Sequence, residues 1–203
     1  MNILKRIYVS VTVGLCCAIV IGMVQFDKRC DALRNNCLRM HVLANSNSNF
    51  DQQLKLKVRD EVLTLSQDIF AEAETLEQAI AAAEDNSELI AQKATQVCAQ
   101  NGTDYTVKCE IDTEYFTTRH YENFTLPAGN YKAVRLLIGE AKGKNWWCVM
   151  FPSVCIGAAG EQQLASVAGE DAARVATSGT KYKMKFKVVE LYQNVKQWFS
   201  SQK

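Results

Sequence analysis

From position 7 to position 26 (IYVSVTVGLCCAIVIGMVQF) the chain carries no charged residue, and beyond it apolar residues recur at two contrasting periods. Twenty residues at 1.5 Å each would span about 30 Å as a helix, the thickness of a bilayer's hydrocarbon core. This stretch is therefore expected to cross or enter a membrane. Residues 27–36 are polar and read as a juxtamembrane connector. Leu38, Met40, Val42 and Ala44 then alternate with Arg39, His41 and Leu43, the period-2 pattern of a short strand. A turn-rich run, Asn45-Ser46-Asn47-Ser48-Asn49, follows, and its last Asn is placed to cap a helix with Gln52 three residues on. In that helix Leu54, Val58, Val62, Leu65 and Ile69 form one apolar face, while Lys55, Lys57, Arg59, Asp60 and Glu61 take the others.

A second helix is predicted from Thr75, with Gln78 completing a capping box, and a third from Glu88 to about Gln100, ending at Asn101-Gly102. The period then changes. Tyr105, Val107, Cys109 and Ile111 alternate with Thr106, Lys108, Glu110 and Asp112, which predicts a half-solvated strand. A long aromatic connection runs to Pro127-Ala128-Gly129, where Tyr115, Phe116, Tyr121 and Phe124 are expected to pin it to the domain. Residues 130–138 and 146–151 read as a hairpin around the loop 139–145. The order β-α-α-β-β-β predicts an α+β domain with helices on one face of a small, mostly antiparallel sheet. Residues 156–180, rich in Ala and Gly, read as a linker. The tail 181–203 places Val188, Leu191, Val195 and Trp198 at helical spacing among lysines. A basic amphipathic helix of this kind either touches a membrane surface or an acidic partner, or docks on the domain as an ordinary surface helix. The chain thus divides into an anchor or signal peptide (1–26), a connector (27–36), an exported domain (37–155), a linker (156–180) and a basic tail (181–203).

Charge adjusts this picture. The whole chain has net charge +1, with 23 Lys and Arg against 22 Asp and Glu, so there is no global basic field and no nucleic acid partner is expected. Residues 27–180 alone carry 15 bases and 21 acids, so the basic tail opposes an acidic domain. Lys5 and Arg6 precede the apolar stretch, which by the positive-inside rule sends the chain after Phe26 across the membrane. An uncleaved anchor fits the length best. A cleaved signal peptide is the alternative, although Val20-Ile21-Gly22 is a poor cleavage site.

Six cysteines lie beyond the anchor, an even number suited to an oxidising compartment. Cys148 and Cys155 bracket a bend at Pro152 and form the first expected disulfide; Cys98 and Cys109, at a helix end and in the next strand, form the second. Cys30 and Cys37 are about 10 Å apart if both lie on one helix, too far to bond, which leaves them free or Cys37 paired elsewhere. There is no C-x-x-C, and the two histidines, His41 and His120, are far apart, so no metal or other cofactor is expected.

The hydrolase motifs G-x-S-x-G and H-E-x-x-H are absent. Ser46 and His41 are the one pair that could supply a nucleophile and base, but Asn-Ser-Asn-Ser between a strand and a helix is first turn and cap chemistry. Gly139 and Gly143 read as hairpin glycines. Trp146 and Trp147 are adjacent in a strand, so one faces each side of the sheet. One can be core; the other needs a cover or a partner.

Four blocks carry a resemblance: Leu38 to Ser48, Asp51 to Asp60, Asn123 to Gly129, and Gly143 to Pro152 with its Asn-Trp-Trp-Cys run. Over residues 37–155 the chain resembles the stage II sporulation protein R family of endospore-forming bacteria. The resemblance implies a signal made in the forespore and exported, membrane-anchored or secreted, into the space between the two membranes around it. There it would activate a membrane-embedded aspartic protease that removes the pro-segment of sigma-E, with catalysis on the partner and no small-molecule substrate. Ala44-Asn45-Ser46 and Lys55 to Arg59 fall on one family block, and Trp146, Trp147, Cys148 and Cys155 on another. His41, Asn45, Ser46, Arg59, Trp146 and Trp147 are the candidate partner contacts. An exported hydrolase of cell-wall or peptide substrate, using Ser46 and His41, is the alternative.

Overall fold

A computed structural model describes residues 3–121, 123–152, 160–178 and 182–200. Its first element, α1 (Ile3–Arg34), continues the apolar stretch as one helix, long and apolar enough to cross a membrane, with the apolar window entirely uncovered by the rest of the chain. That fits a signal sequence or a membrane anchor. The polar residues that follow are not a separate connector. The helix runs on through them and buries Phe26, Cys30, Leu33 and Arg34 in the domain. Each large apolar group buried this way contributes about 1.5–3 kcal/mol, so the end of α1 belongs to the fold. Arg34 fixes it further. Its guanidinium donates to Asp27 (2.8 Å), to Asp31 (2.7 Å) and to the Ala128 carbonyl (3.0 Å). Gly129, at φ +148°, leaves room for it, since a Cβ there would lie 2.3 Å from Arg34 Cδ.

Strand β1 (Leu38–Leu43) follows, then α2 (Asn49–Ile69), α3 (Leu76–Asp85) and α4 (Ser87–Gln100). The α2 cap is Ser48, one residue before the expected Asn49, because its hydroxyl accepts the Asp51 amide and the Gln52 side chain is used elsewhere. The Thr75–Gln78 capping box opens α3, and Gly102 after α4 takes the left-handed conformation at φ +79°. Next come β2 (Val107–Phe116), the short strands β3 (Arg119–His120) and β4 (Thr125–Leu126), then β5 (Gly129–Ile138) and β6 (Asn145–Phe151). Three helices close the described chain: α5 (Gly160–Ala168), α6 (Glu170–Thr177) and α7 (Lys183–Ser200).

The main sheet has the order β2-β5-β1-β6, with β1 parallel to β5 and the other two pairs antiparallel. The fold is α+β, as expected, but β5 and β6 are not a hairpin. β1 lies between them, because nearly all its residues are buried, including Arg39 and His41, and a strand covered on both faces is stable in the centre. The loop 139–144 must therefore cross the end of β1, over about two strand spacings of 4.8 Å.

Helices cover both faces of the sheet, not one. Leu38, Met40, Val42, Val134, Leu136 and Met150 pack under α2, α3 and α4. On the opposite face, Tyr131, Ala133 and Val149 pack with Leu33 of α1, Leu164 of α5, and Ala172, Ala173 and Ala176 of α6. The expected 156–180 linker is thus helical over its described part, residues 160–178. Its alanines were the reason it looked empty. Small side chains let α6 approach closely, so it buries a full face without large apolar groups. The rest of that segment, residues 156–159, 179 and 180, lies outside the described residues.

Candidate functional site

The candidate residues gather at one end of the sheet, where β1 passes into α2 and the loop 139–144 leads into β6. Ala44 and Asn45 receive the loop through their carbonyls, which accept from the amides of Gly143 (2.8 Å) and Lys142 (3.1 Å). The Asn45 Oδ1 accepts from the Glu140 amide (2.9 Å), and Asn47 Oδ1 from the Lys144 amide (2.8 Å). From α2, Lys55 Nζ donates to the Lys144 carbonyl (3.0 Å) and to Gln52 Oε1 (2.7 Å). The glycines are required by this closeness. A Cβ on Gly139 would stand 2.4 Å from Asn45 Oδ1, and one on Gly143 2.2 Å from the Ser46 carbonyl oxygen. They are docking glycines and not hairpin glycines.

Asp51 ties the turn to the helix. Its carboxylate accepts from Ser46 Oγ (2.5 Å) and Asn45 Nδ2 (3.1 Å), and it sits in the first turn of α2, where a negative charge is favoured. Burial pushes the carboxyl pKa up, but the hydrogen bonds from Ser46, Asn45 and Ser48 outweigh it and hold the group below its ordinary value. Lys55 is lowered as well, by burial and by the neighbouring Lys144 and Arg59 charges.

The two tryptophans diverge as the pleat requires. Trp146 is 37% exposed on the helix side, with the Arg59 guanidinium 4.4 Å from its ring centre. Arg59 is itself paired with Asp60 at 2.6 Å. Trp147 turns to the opposite face, where it stacks on His41 at 3.8 Å with planes 13° apart and meets the edge of Phe116 at 4.7 Å. His41 is buried; its Nδ1 lies 2.8 Å from Glu114 Oε2 and its Nε2 2.8 Å from Asn145 Oδ1. Beside it, the fully buried Arg39 donates to the Cys148 carbonyl (3.0 Å) and to Tyr121 Oη (2.7 Å). Its guanidinium lies 4.2 Å from the Phe116 ring centre and 4.9 Å from that of Tyr131. The aromatic connection is thus pinned inward, with Phe116 and Phe124 buried.

Of the six candidate contacts, Arg59 and Trp146 form an outward pair. Asn45 and Ser46 hold the joint together, His41 is buried, and Trp147 is half-buried against it. Ser46 and His41 are not brought together as nucleophile and base: the serine hydroxyl is engaged by Asp51, and the imidazole by Glu114 and Asn145. Among the described residues no group of three or more His, Cys, Asp or Glu is arranged to hold a metal ion.

Cys98 and Cys109 are separate thiols, contrary to the expected bond. The Val107 amide donates to Thr95 Oγ1, which sets β2 against α4. The expected Cys148–Cys155 bond involves Cys155, which lies outside the described residues.

Asp51, Glu114 and Arg39 complete the site without having been singled out, and Lys55, Gly139 and Gly143 join it in roles other than the polar-face and hairpin ones expected of them. A glycine pair four residues apart and an arginine inside an apolar strand were the available signals, and neither names its partner without the sheet order.

The chain thus joins an apolar N-terminal helix to an α+β domain that carries the Arg59–Trp146 pair beside the bonded β1–α2 joint. Residues 34–161 match the family described as stage II sporulation protein R (spore_II_R), and the chain belongs to that family. It is 34% identical over 125 residues to Stage II sporulation protein R of Bacillus subtilis (strain 168), a match covering 60% of this chain and 54% of that protein. The chain thus spans about half the length of this curated relative. No solved structure matches it.

Proposed function

We propose that this protein is an exported or membrane-anchored signal of sporulation that switches on a membrane-embedded aspartic protease by binding it, so that the protease removes the pro-segment of sigma-E. In this reading α1 holds the domain on the far side of the forespore membrane, in the intermembrane space. The Arg59–Trp146 pair meets the protease there. The observation that carries the binding role is this pair itself. An exposed indole with a guanidinium over its ring has the composition of an interface anchor, where Trp and Arg are enriched. Family membership supports the sporulation context.

The test is co-production with the protease and pro-sigma-E in a non-sporulating cell. Processing is expected, and Trp146→Ala with Arg59→Ala should reduce it while the protein stays folded and exported. Ser46→Ala should process normally wherever the domain is folded. Absence of processing by the folded, exported wild-type chain would overturn the proposal, and loss of it in a folded Ser46→Ala protein would restore a hydrolytic reading.

A further inference from the structure

On α7 every residue falling within one arc of about 100° is apolar, given 3.6 residues per turn. These are Met184, Val188, Leu191, Val195, Trp198 and Phe199, and all six are exposed. Lys187 borders the arc on one side, and Lys185 and Lys196 lie beyond the other. The opposite face is already occupied. Phe186 and Val189 are buried against Phe26 and Cys30 of α1, and Asn194 accepts a hydrogen bond from Tyr115 of β2. The helix is therefore docked on the domain by one side and leaves its apolar side outward.

Where it is docked identifies what covers that side. On α1, residues 3–21 are all exposed, and the first covered positions come at Gly22 and Met23. α7 packs on this last turn of the uncharged stretch. Val188, Val189 and Tyr192 of α7 line a cleft of about 460 Å³ together with Met23, Val24, Asp27 and Lys28 of α1. The α1 side of the cleft thus passes from apolar to charged within about one turn, the change expected where a helix leaves a bilayer. The exposed arc of α7 joins the exposed apolar surface of α1 through Val188 and Tyr192.

We infer that α7 is an in-plane membrane helix: its Met184–Phe199 face lies in the interface of an anionic phospholipid bilayer, beside the point where α1 emerges. A bilayer satisfies each observation together. The apolar arc enters the acyl boundary, the bordering lysines reach lipid phosphates, and the aromatic pair Trp198–Phe199 sits at headgroup depth. Such a contact would hold the acidic domain at a set height and tilt above the membrane, where a membrane-embedded partner is met. The inference rests on α1 as a membrane anchor and not on the identity of that partner.

The full chain is reconstituted into phosphatidylcholine–phosphatidylglycerol vesicles whose acyl chains are brominated near the headgroup. Bromine should quench a tryptophan component that Trp198→Phe lacks, and Leu191→Glu with Val195→Glu should remove most of that quenching while the protein still floats with the vesicles. Both substitutions are at exposed positions, so the fold is kept. Equal Trp198 emission in brominated and ordinary lipid, with the chain floating, would overturn the inference while leaving the anchor standing. A chain cross-linked to a second copy through α7, unquenched by lipid, would overturn it too, and failure to float at all would remove both α7 and α1 from the membrane.

Discussion

Gly143 stands so close to Ser46 that a Cβ on it would lie 2.2 Å from the Ser46 carbonyl oxygen. The obstacle is backbone, which cannot swing aside as a side chain can. Gly143→Ala is therefore expected to push the loop 139–144 off the β1–α2 turn, at a cost of about 1–3 kcal/mol. Ala141, two residues earlier, gives the opposite case. It holds φ +52°, a conformation that costs an L-residue about 1–2 kcal/mol, so Ala141→Gly should stabilise the protein by about 1 kcal/mol. Urea unfolding of both variants, compared with wild type, checks the pair of signs.

Asp51 makes the same joint sensitive to acid. Because its folded carboxyl lies below the ordinary 3.8, the stability it contributes is fully present above that value and is lost as pH falls through the folded pKa. The urea midpoint of the wild type should drop between neutral pH and pH values below 3.8. Asp51→Asn should be less stable at neutral pH and should show a smaller drop, so the two curves converge in acid. Parallel curves would remove Asp51 from the acid transition.

Trp146 and Trp147 are neighbours in sequence with opposite expected phenotypes. Trp147 is half-buried against His41, Phe116 and the Arg119 guanidinium, so Trp147→Ala should cost about 2–3 kcal/mol and reduce the amount of folded protein. Trp146→Ala loses an exposed contact with Arg59 worth about 1 kcal/mol and should leave the melting temperature nearly unchanged. Thermal melts measured beside the processing assay separate them: Trp147→Ala acts through folded amount, Trp146→Ala through activity per folded molecule.

What could be read from the chain in advance was local. The run from 7 to 26, the Thr75–Gln78 box, the turn at Gly102 and the alternation through Val107, Cys109 and Ile111 each involve residues close in sequence, and each stands in the structure. The insertion of β1 between β5 and β6 depends on pairings across about a hundred residues, such as His41 with Arg135 and with Trp147, and no local period encodes it. The candidate site divides in the same way. Arg59 and Trp146 could be singled out by type, but their meeting needed α2 to lie along the start of β6. Likewise His41 could be recognised as a strand residue, while Glu114 and Asn145, its partners, come from two other strands.

The thiols offer the last test, because their placement separates the local from the long-range reading. Burial pushes the Cys30 thiol up to about 12 and that of Cys109 up to about 11, so neither forms appreciable thiolate at pH 8. Since the thiolate is the reactive species, both should resist alkylation in the native protein and react fully once unfolded. Mass spectrometry of the non-reduced, alkylated protein should find Cys98 and Cys109 individually modified, with no bond between them. A Cys98–Cys109 disulfide would require α4 and β2 to leave the arrangement that the Thr95–Val107 hydrogen bond holds, and its detection would overturn the α4–β2 packing described above. The same spectra locate the N-terminus. A mass retaining Phe26 is expected, because that ring is packed between Tyr182 and Phe186, and its removal would uncover the base of α7.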